Sequence, residues 1–559
     1  MHFRARSSLL LIATTLAALV SYAQVRPAAK LLWLDFDMKN IPEPKERPSS
    51  VYDYFFKNQV VEQTKQNLDL PRYLRAAVGH PKPAANVNAV DEVPDSSWYT
   101  NRHHLHRMTI DDLMRGPNQR GNPDFAGAVI TKAKTKGVTP GLQLKDSKGD
   151  SYIIKFDNKK YPELQSGAEM ISTKILYAAG YNVPENHLAY LDAKLLRIGE
   201  DVKIKDENRK IRSLTREDLD EILTRVARMP DGRIRVLASK LIPGKPKGPF
   251  PQIGLRRDDP NDWIPHEHRR ELRGLRVIAS WINHWDMKED NGLDTYVEEN
   301  GRKFLRHYLI DFGSTLGAGK DPAEYFHGRA YLIDTKSILK ELFTLGLYES
   351  PYEKEGTVIS PAVGMFTSDD FHPEGWVSTY PVLPFDNMTD QDAYWAMRIV
   401  LSFTEPELRG VVETASYSDQ KDTDYVLRTL LERRSILARH WLPKVDALSD
   451  FSVRPLDGGI ALAFRDVMID SKTQDPDSTS YSYQVKGPRY TSEMKTIRNP
   501  SIAVDRVTLT AAIEHSGPDG LVEVTIWTNR QGSSSGPVKV YFDWSPTRDL
   551  FAVRRISRG

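Results

Sequence analysis

The chain has 559 residues, 77 Lys and Arg against 75 Asp and Glu, no cysteine, and a mean hydropathy of −0.49. A formal charge of +2 gives no overall field that gathers nucleic acid or anionic lipid, and the composition excludes a low-complexity polymer and a polytopic membrane protein. Without cysteine there are no disulfides, no thiolate nucleophile and no Cys-ligated zinc.

Arg4 and Arg6, the apolar stretch Leu9 to Val20 and the small-x-small Ser21-Tyr22-Ala23 before Gln24 have the pattern of a secretory targeting peptide over residues 1–23. The apolar run falls short of the roughly 20 residues a bilayer span needs. The expectation is cleavage after Ala23, export to the periplasm or the extracellular side, and no membrane span afterwards. Residues 24–125 are rich in Pro, Asn and charge, as in Ile41-Pro42-Glu43-Pro44 and Val93-Pro94-Asp95, and read as an extension wrapping a core formed elsewhere.

Over residues 126–245 the texture is strand-rich. Ala128 to Thr131, Leu142 to Leu144 and Ser151 to Phe156 form a predicted three-strand meander with a loop at Gly137-Val138-Thr139-Pro140-Gly141 and a turn at Lys148-Gly149-Asp150. A helix is predicted between Pro162 and Ala179, stopped by Gly180, then strands at His187 to Leu196 and Arg233 to Leu241. Lys245 to Pro251, with Pro at every second or third position, reads as a hinge or connector. Residues 246–445 turn helical, with Leu272, Leu275, Ala279 and Ile282, then Tyr394, Met397, Val400 and Leu401, at three- and four-residue steps. Residues 446–559 alternate in short runs such as Leu521 to Trp527, which predicts a separate all-β, sandwich-like domain.

Two stretches carry chemistry. His284-Trp285-Asp286-Met287-Lys288-Glu289-Asp290-Asn291 follows an amphipathic helix, and Tyr308-Leu309-Ile310-Asp311-Phe312-Gly313 follows a charged hairpin-like segment, Glu298 to Arg302. The first resembles the protein-kinase catalytic loop H-R-D-L-K-x-x-N and the second the D-F-G motif, in the order that family has. Lys155, near the end of an apolar strand, resembles the phosphate-contacting lysine, and Glu169 on the following helix its pairing glutamate. The chain is thus similar to the protein-kinase-like superfamily, in an atypical form nearer the HipA-type, phosphatidylinositol and secretory-pathway kinases. The resemblance implies an α+β, two-lobed fold over about residues 126–445, with a small β-rich lobe, a helical lobe, the extension before them and the all-β domain after.

Phosphoryl transfer needs cations against charge spread over the transferring oxygens and an acceptor hydroxyl held in line. Asp311 and Asn291 offer hard oxygen ligands for Mg²⁺ or Mn²⁺. By resemblance, Lys155 grips the α/β-phosphates of ATP, Asp286 accepts or orients the acceptor proton, Lys288 steadies the transferring group, and Gly137 and Gly141 supply the phosphate-covering turn as an amide nest. Alternatives stay open: Glu169 as the acid of a capping box in Ser166-Gly167-Ala168-Glu169, Glu163 as the partner of Lys155, Lys155 as a strand-edge lysine, and Asp290 as a turn acid or an extra ligand. There is no G-x-G-x-x-G, Trp285 stands where ordinary kinases carry an arginine, and Pro322-Ala323-Glu324 only echoes A-P-E, so regulation through a phosphorylated activation loop is not expected. His103, His104 and His106, or His266 and His268, are expected on a solvated surface rather than on zinc.

The expected function is an exported, kinase-like phosphotransferase moving the γ-phosphate of ATP to an acceptor: protein, sugar, lipid headgroup or small molecule. A pseudokinase serving as a binding or assembly module in the cell envelope, and an AMP-transferring enzyme, are the competing expectations. No nucleic-acid partner is expected.

Overall fold

The computed structural model describes residues 33–48, 50, 52–119, 121–134, 141–205, 211–319, 321–350, 352, 356–514, 521–530, 536–544 and 551–559. The targeting pattern in residues 1–23 and Gly137 lie outside the described residues.

The Pro-rich extension contributes few long elements: a helical turn over Tyr52–Glu62, then α1 (Leu70–Ala77). It contributes anchors instead. Val93, Trp98, Tyr99 and Leu113 are buried in the same apolar cluster as the helices described below. The Trp98 ring stacks on His307 at 3.6 Å between centroids, and the Ser97 amide and hydroxyl donate to Asp37.

The meander forms as the alternation predicts. β1 (Val129–Lys134), β2 (Gly141–Lys145) and β3 (Ser151–Phe156) are antiparallel neighbours. After α2 (Leu164–Ala179), β4 (Asn186–Leu191), β5 (Arg197–Ile198) and β6 (Ile234–Lys240) complete a six-stranded sheet of order β4-β6-β3-β2-β1-β5. Tyr152, Ile154 and Phe156 on β3 and Leu142 and Leu144 on β2 bury one face. α2 ends where expected: Gly180 has φ +116°, and a Cβ there would collide with the Tyr99 ring and the Thr100 carbonyl. The strand expected over His187 to Leu196 is shorter, because the Asp192 side chain accepts from the Lys194 amide and starts a 3₁₀ turn over Ala193–Leu195.

Lys245 to Pro251, expected as a hinge or connector, is held in place. Lys245–Pro246 pairs with Thr295 and Tyr296, and the Lys247 amide donates to the Asp294 carbonyl at 2.7 Å. Behind it α3 (Arg270–Trp281) carries Leu272, Leu275 and Ile278 into the core, followed by the hairpin β7 (Gly292–Glu299) and β8 (Arg302–Leu309). α4 (Thr335–Phe343), α5 (Asp390–Ser402) and α6 (Gln420–Trp441) follow. The Trp281 indole donates to the Leu430 carbonyl at 2.8 Å, and the Arg433 guanidinium donates back to the Trp281 carbonyl at 3.0 Å, so α3 and α6 are bonded as well as packed.

From residue 446 the chain forms two antiparallel sheets, one of Leu448–Leu456, Gly459–Asp466 and Ser501–Asp505, the other built around Ser480–Gly487, Leu521–Asn529, Val538–Asp543 and Val553–Arg558. They share one apolar cluster that includes Ile460, Leu462, Tyr481, Ile502, Val524 and Val540. Arg558 ties this part to the rest: its guanidinium donates to the Leu448 and Asp446 carbonyls and to Asp91 of the extension. Among the described residues no helix is long and apolar enough to cross a membrane.

Candidate active site

β3 is a central strand with β2 on one side and β6 on the other, so Lys155 is not an edge lysine. Strand alternation puts Lys155 on the face opposite Tyr152, Ile154 and Phe156, where α2 lies. There the Lys155 Nζ donates to both carboxylate oxygens of Glu169 at 2.8 Å and to Oδ1 of Asp311 at 2.9 Å. Glu169 is 1% exposed and also accepts from the Asn186 amide at 3.4 Å; the Lys155 side chain is 30% exposed. Ser166, which a capping box would need at the helix start, sits inside α2 and donates its hydroxyl to Asp157. Glu163 turns away to the Ser418 amide and hydroxyl.

The loop that carries Asp286 begins at a defined stop. Asn283 has φ +47°, and the next amide, His284 N–H, reaches back to the Ala279 carbonyl at 2.7 Å, closing α3 with a left-handed cap that asparagine tolerates. His284 is buried edge-on to the Phe312 ring, and burial pushes its imidazole down to about 4. The Trp285 indole donates to the Ala318 carbonyl and its ring stacks on His327 at 3.6 Å, so Trp285 is held by an aromatic stack. Ser378 pins the loop, its hydroxyl donating to the Trp285 carbonyl at 2.9 Å and accepting from the Met287 amide at 3.1 Å.

Within the loop, Lys288 Nζ donates to Asp286 Oδ2 at 2.8 Å, and the Asn291 amide donates to the Asp286 carbonyl at 2.6 Å and to Oδ2 at 3.3 Å. Asp290 sits in the 3₁₀ turn Glu289–Asn291. The hairpin then returns the chain to its starting point. Asn300-Gly301, with φ +51° and +72°, make the two-residue turn whose twist matches the strands, and the register runs unbroken from Glu299↔Arg302 to Gly292↔Leu309. The Ile310 amide therefore donates to the Asn291 carbonyl at 2.9 Å, and Asp311 follows in the left-handed region at φ +64°. Aspartate tolerates that backbone better than most residues, but it is uncommon, and such conformations gather at functional sites.

The charges act as one field. Lys155 chiefly, against burial, holds the Asp311 carboxyl down to about 2, with Lys288 and His284 adding to the effect. Burial alone would lower Lys155; Asp311 and Glu169 outweigh it and hold the ammonium well above its usual value. Burial pushes Glu169 up, while Lys155, bonded to both of its carboxylate oxygens, pulls against it. Burial likewise lowers Lys288, but Asp286 raises it more. Lys155, Glu169, Asp311, Asp286 and Lys288 leave one excess negative charge, a setting that accepts a cation. Among the described residues no group of three or more His, Asp or Glu could hold a metal ion unaided. Asp311 and Asn291 fit a Mg²⁺-type ion only with further oxygens from a phosphate ligand, the usual way such ions are held beside nucleotides.

Gly141, expected in the covering turn, is instead the first residue of β2. It pairs with Lys155 on one side and Lys134 on the other. Cavities of about 280 and 540 Å³ lie beside Asn283, His327 and Trp376, and beside Phe36, Asn86 and Trp263; none of Lys155, Glu169, Asp286 or Asp311 lines either. The polar geometry, not cavity volume, singles out this site. His103 and His266 are buried rather than solvated, bonded to the Ser402 carbonyl and to Asp262. Sequence reading missed Asn186 and Ser378. A buried amide at a strand's first position and a serine in an irregular stretch carry no pattern that would flag them.

No family model and no curated protein matches this chain. Similar solved structures are kinases: the Helicobacter pylori proinflammatory kinase CtkA, at 11% identity and TM-score 0.29 over 54% of this chain and 89% of that one, and the Golgi casein kinase, at 9% identity and TM-score 0.31 over 73% and 94%. The Golgi casein kinase with Mn/ADP bound is similar at 9% identity and TM-score 0.30 over 72% and 95%. Likenesses this distant bear no weight beside the site's own geometry.

Proposed function

We propose that this protein is an exported phosphotransferase that moves a phosphoryl group from ATP to a hydroxyl acceptor. The observation that carries the reading is Lys155 bridging Glu169 and Asp311, residues 14 and 156 positions away along the chain, beside the Asp286–Lys288–Asn291 cluster. Lys155, held charged and steered by the buried Glu169, binds the α- and β-phosphates. Asp286 accepts a hydrogen bond from the acceptor hydroxyl and takes its proton as the acceptor oxygen bonds the γ-phosphorus and the bridging bond to ADP breaks; Lys288, bonded to Asp286, balances charge on the transferring oxygens. A divalent cation held by Asp311, Asn291 and the nucleotide's phosphates would neutralise the charge that develops during transfer. Ser378 and the Asn291 amide fix the Asp286 loop, so the carboxylate need not reorganise as the reaction proceeds.

The test is transfer of label from ATP carrying it at either the α- or the γ-phosphate, using the mature chain with Mg²⁺ or Mn²⁺ and a panel of protein, sugar and lipid acceptors. Transfer of γ-label that Asp286→Asn abolishes is the expected result. Transfer of α-label alone would mean AMP transfer, and no transfer from either, over a broad panel, would leave a binding module.

A further inference from the structure

Two neighbouring helices turn their polar sides inward and their apolar sides to water. In α1, Arg72 and Tyr73 line a small cleft with Gln63, Tyr331 and Asp386. Leu70, Leu74 and Val78, spaced four apart on the other side, are 66–68% exposed, and α1 buries none of its residues. α4 repeats the pattern. Its start is tied to the body where Gln63 donates to the Ile333 carbonyl at 3.0 Å and accepts from the Thr335 amide at 3.2 Å. Leu342 is 67% exposed, and Phe343, Leu345 and Leu347 are 82–91% exposed. Amphipathic helices in water normally point the other way, and this many exposed large apolar side chains on two helices that share a cleft mark a contact face.

The shape and charge of this face indicate what it meets. Side chains more than four-fifths exposed stand clear of the body as ridges, which suit a deformable apolar medium better than a pocketed protein surface. Its anchors are Leu, Val and Phe rather than the Trp, Tyr and Arg that carry protein interfaces, and Leu and Phe with cations beside them are the composition of helices that lie in a membrane interface. Across residues 67–83 and 337–350 the exposed charged side chains are Arg75, Lys82, whose Nζ lies 2.7 Å from His268 Nε2, and Lys340 against Glu349, with Asp69, Arg72 and Glu341 half-buried, so the exposed charge here is basic although the whole chain is nearly neutral. Asp69 and Asp334 cap the amide groups of Arg72 and Ser337.

We propose that this face docks peripherally on an anionic phospholipid bilayer, with the Leu and Phe ridges at the headgroup boundary and Arg75, Lys82 and Lys340 at lipid phosphates. The docking face is joined to the loop that carries Asp286. Gln59, on the helical turn before α1, donates to the Thr379 carbonyl at 3.1 Å, and the Thr379 amide donates to the Trp285 carbonyl at 2.8 Å. Docking stands independently of catalysis; on the phosphotransfer reading it also places the acceptor at the membrane surface.

Co-sedimentation of the full chain with vesicles of phosphatidylcholine, alone or mixed with phosphatidylglycerol, tests it. Wild type should sediment with the mixed vesicles, less so at high salt. Leu342→Asp/Phe343→Asp, at exposed positions, should partition at least about tenfold more weakly with its melting temperature and nucleotide response unchanged, which separates this test from that of the cleft. Arg75→Glu/Lys82→Glu should lose the preference for phosphatidylglycerol. Wild type left in the supernatant with both vesicles, or the Asp variant sedimenting equally, overturns the proposal. So does light scattering that finds a dimer the Asp variant abolishes without vesicle binding, because that assigns the face to a second copy.

Discussion

Lys155→Met should destabilise the protein far more than Glu169→Gln, although both break the same ion pair. The difference comes from burial. Glu169 is 1% exposed, so removing Lys155 strands a carboxylate in the interior; the cost of leaving one partner of a buried pair uncompensated is about 3–5 kcal/mol. Lys155 is 30% exposed and keeps Asp311 at 2.9 Å, so Glu169→Gln, which also keeps a hydrogen-bonding oxygen, should cost only about 1 kcal/mol. Without its lysine, Glu169 keeps burial and the Asp311 charge, which both raise its carboxyl above the ordinary 4.5, against the single lowering contact from the Phe312 backbone. A group with a raised folded value is favourable while protonated at low pH and loses that contribution as pH rises through the folded value. The penalty of Lys155→Met should therefore be largest near neutrality and shrink toward pH 5. Urea midpoints of wild type and both variants at pH 5 and 7.5 measure this. Equal costs for the two variants, or a Lys155→Met penalty independent of pH, would refute the buried-pair account.

Asp286→Asn should lower transfer by about 10²–10⁴-fold while leaving the nucleotide-induced rise in melting temperature in place, because Asp286 acts on the acceptor and not on the nucleotide; parallel rate and thermal-shift measurements check both halves. Asn300→Val should cost about 1–2 kcal/mol through the left-handed turn and weaken the nucleotide response, since the hairpin register sets Asn291 against Ile310. His284, pushed down to about 4 by burial, stays neutral between pH 5 and 8 and should add no limb to the pH–rate profile there. Its folded value lies below the ordinary 6.5, so its contribution to stability is complete above 6.5 and is lost as pH falls toward 4; comparing His284→Gln with wild type by thermal melting over that window tests the sign.

The site could be read from the chain where local rules and global placement agree. The apolar run Ser151 to Phe156 marks Lys155 as a strand residue, and the hairpin-like Glu298 to Arg302, turning at Asn300-Gly301, brings the Asp286 loop and Asp311 to one end. What escaped reading depends on long-range contacts. Trp98 and Tyr99 look like loop residues in a Pro-rich stretch and are core residues only because distant segments close over them, Gly180 and Tyr181 on Tyr99 and Phe250 and His307 on Trp98. Gly141 reads as a turn residue because glycine permits a turn, yet strand pairing with Lys155 claims it. Glu169 fitted a capping box as well as an ion pair, and nothing local decides between them; the helix starting at Leu164, two residues before Ser166, settles the matter. The outward-facing Leu74 and Leu342 mislead in the opposite way, since periodicity identifies a helix but not which side of it meets the core.

The account stands or falls on a nucleotide–metal site centred on Asp311 and Lys155. The most direct measurement is the melting temperature of the mature chain with ATP and Mg²⁺ or Mn²⁺, for wild type and Asp311→Ala. A clear rise for wild type that needs nucleotide and metal together, and is absent in Asp311→Ala, is the predicted result. An identical response in the two proteins, or none in wild type, contradicts it.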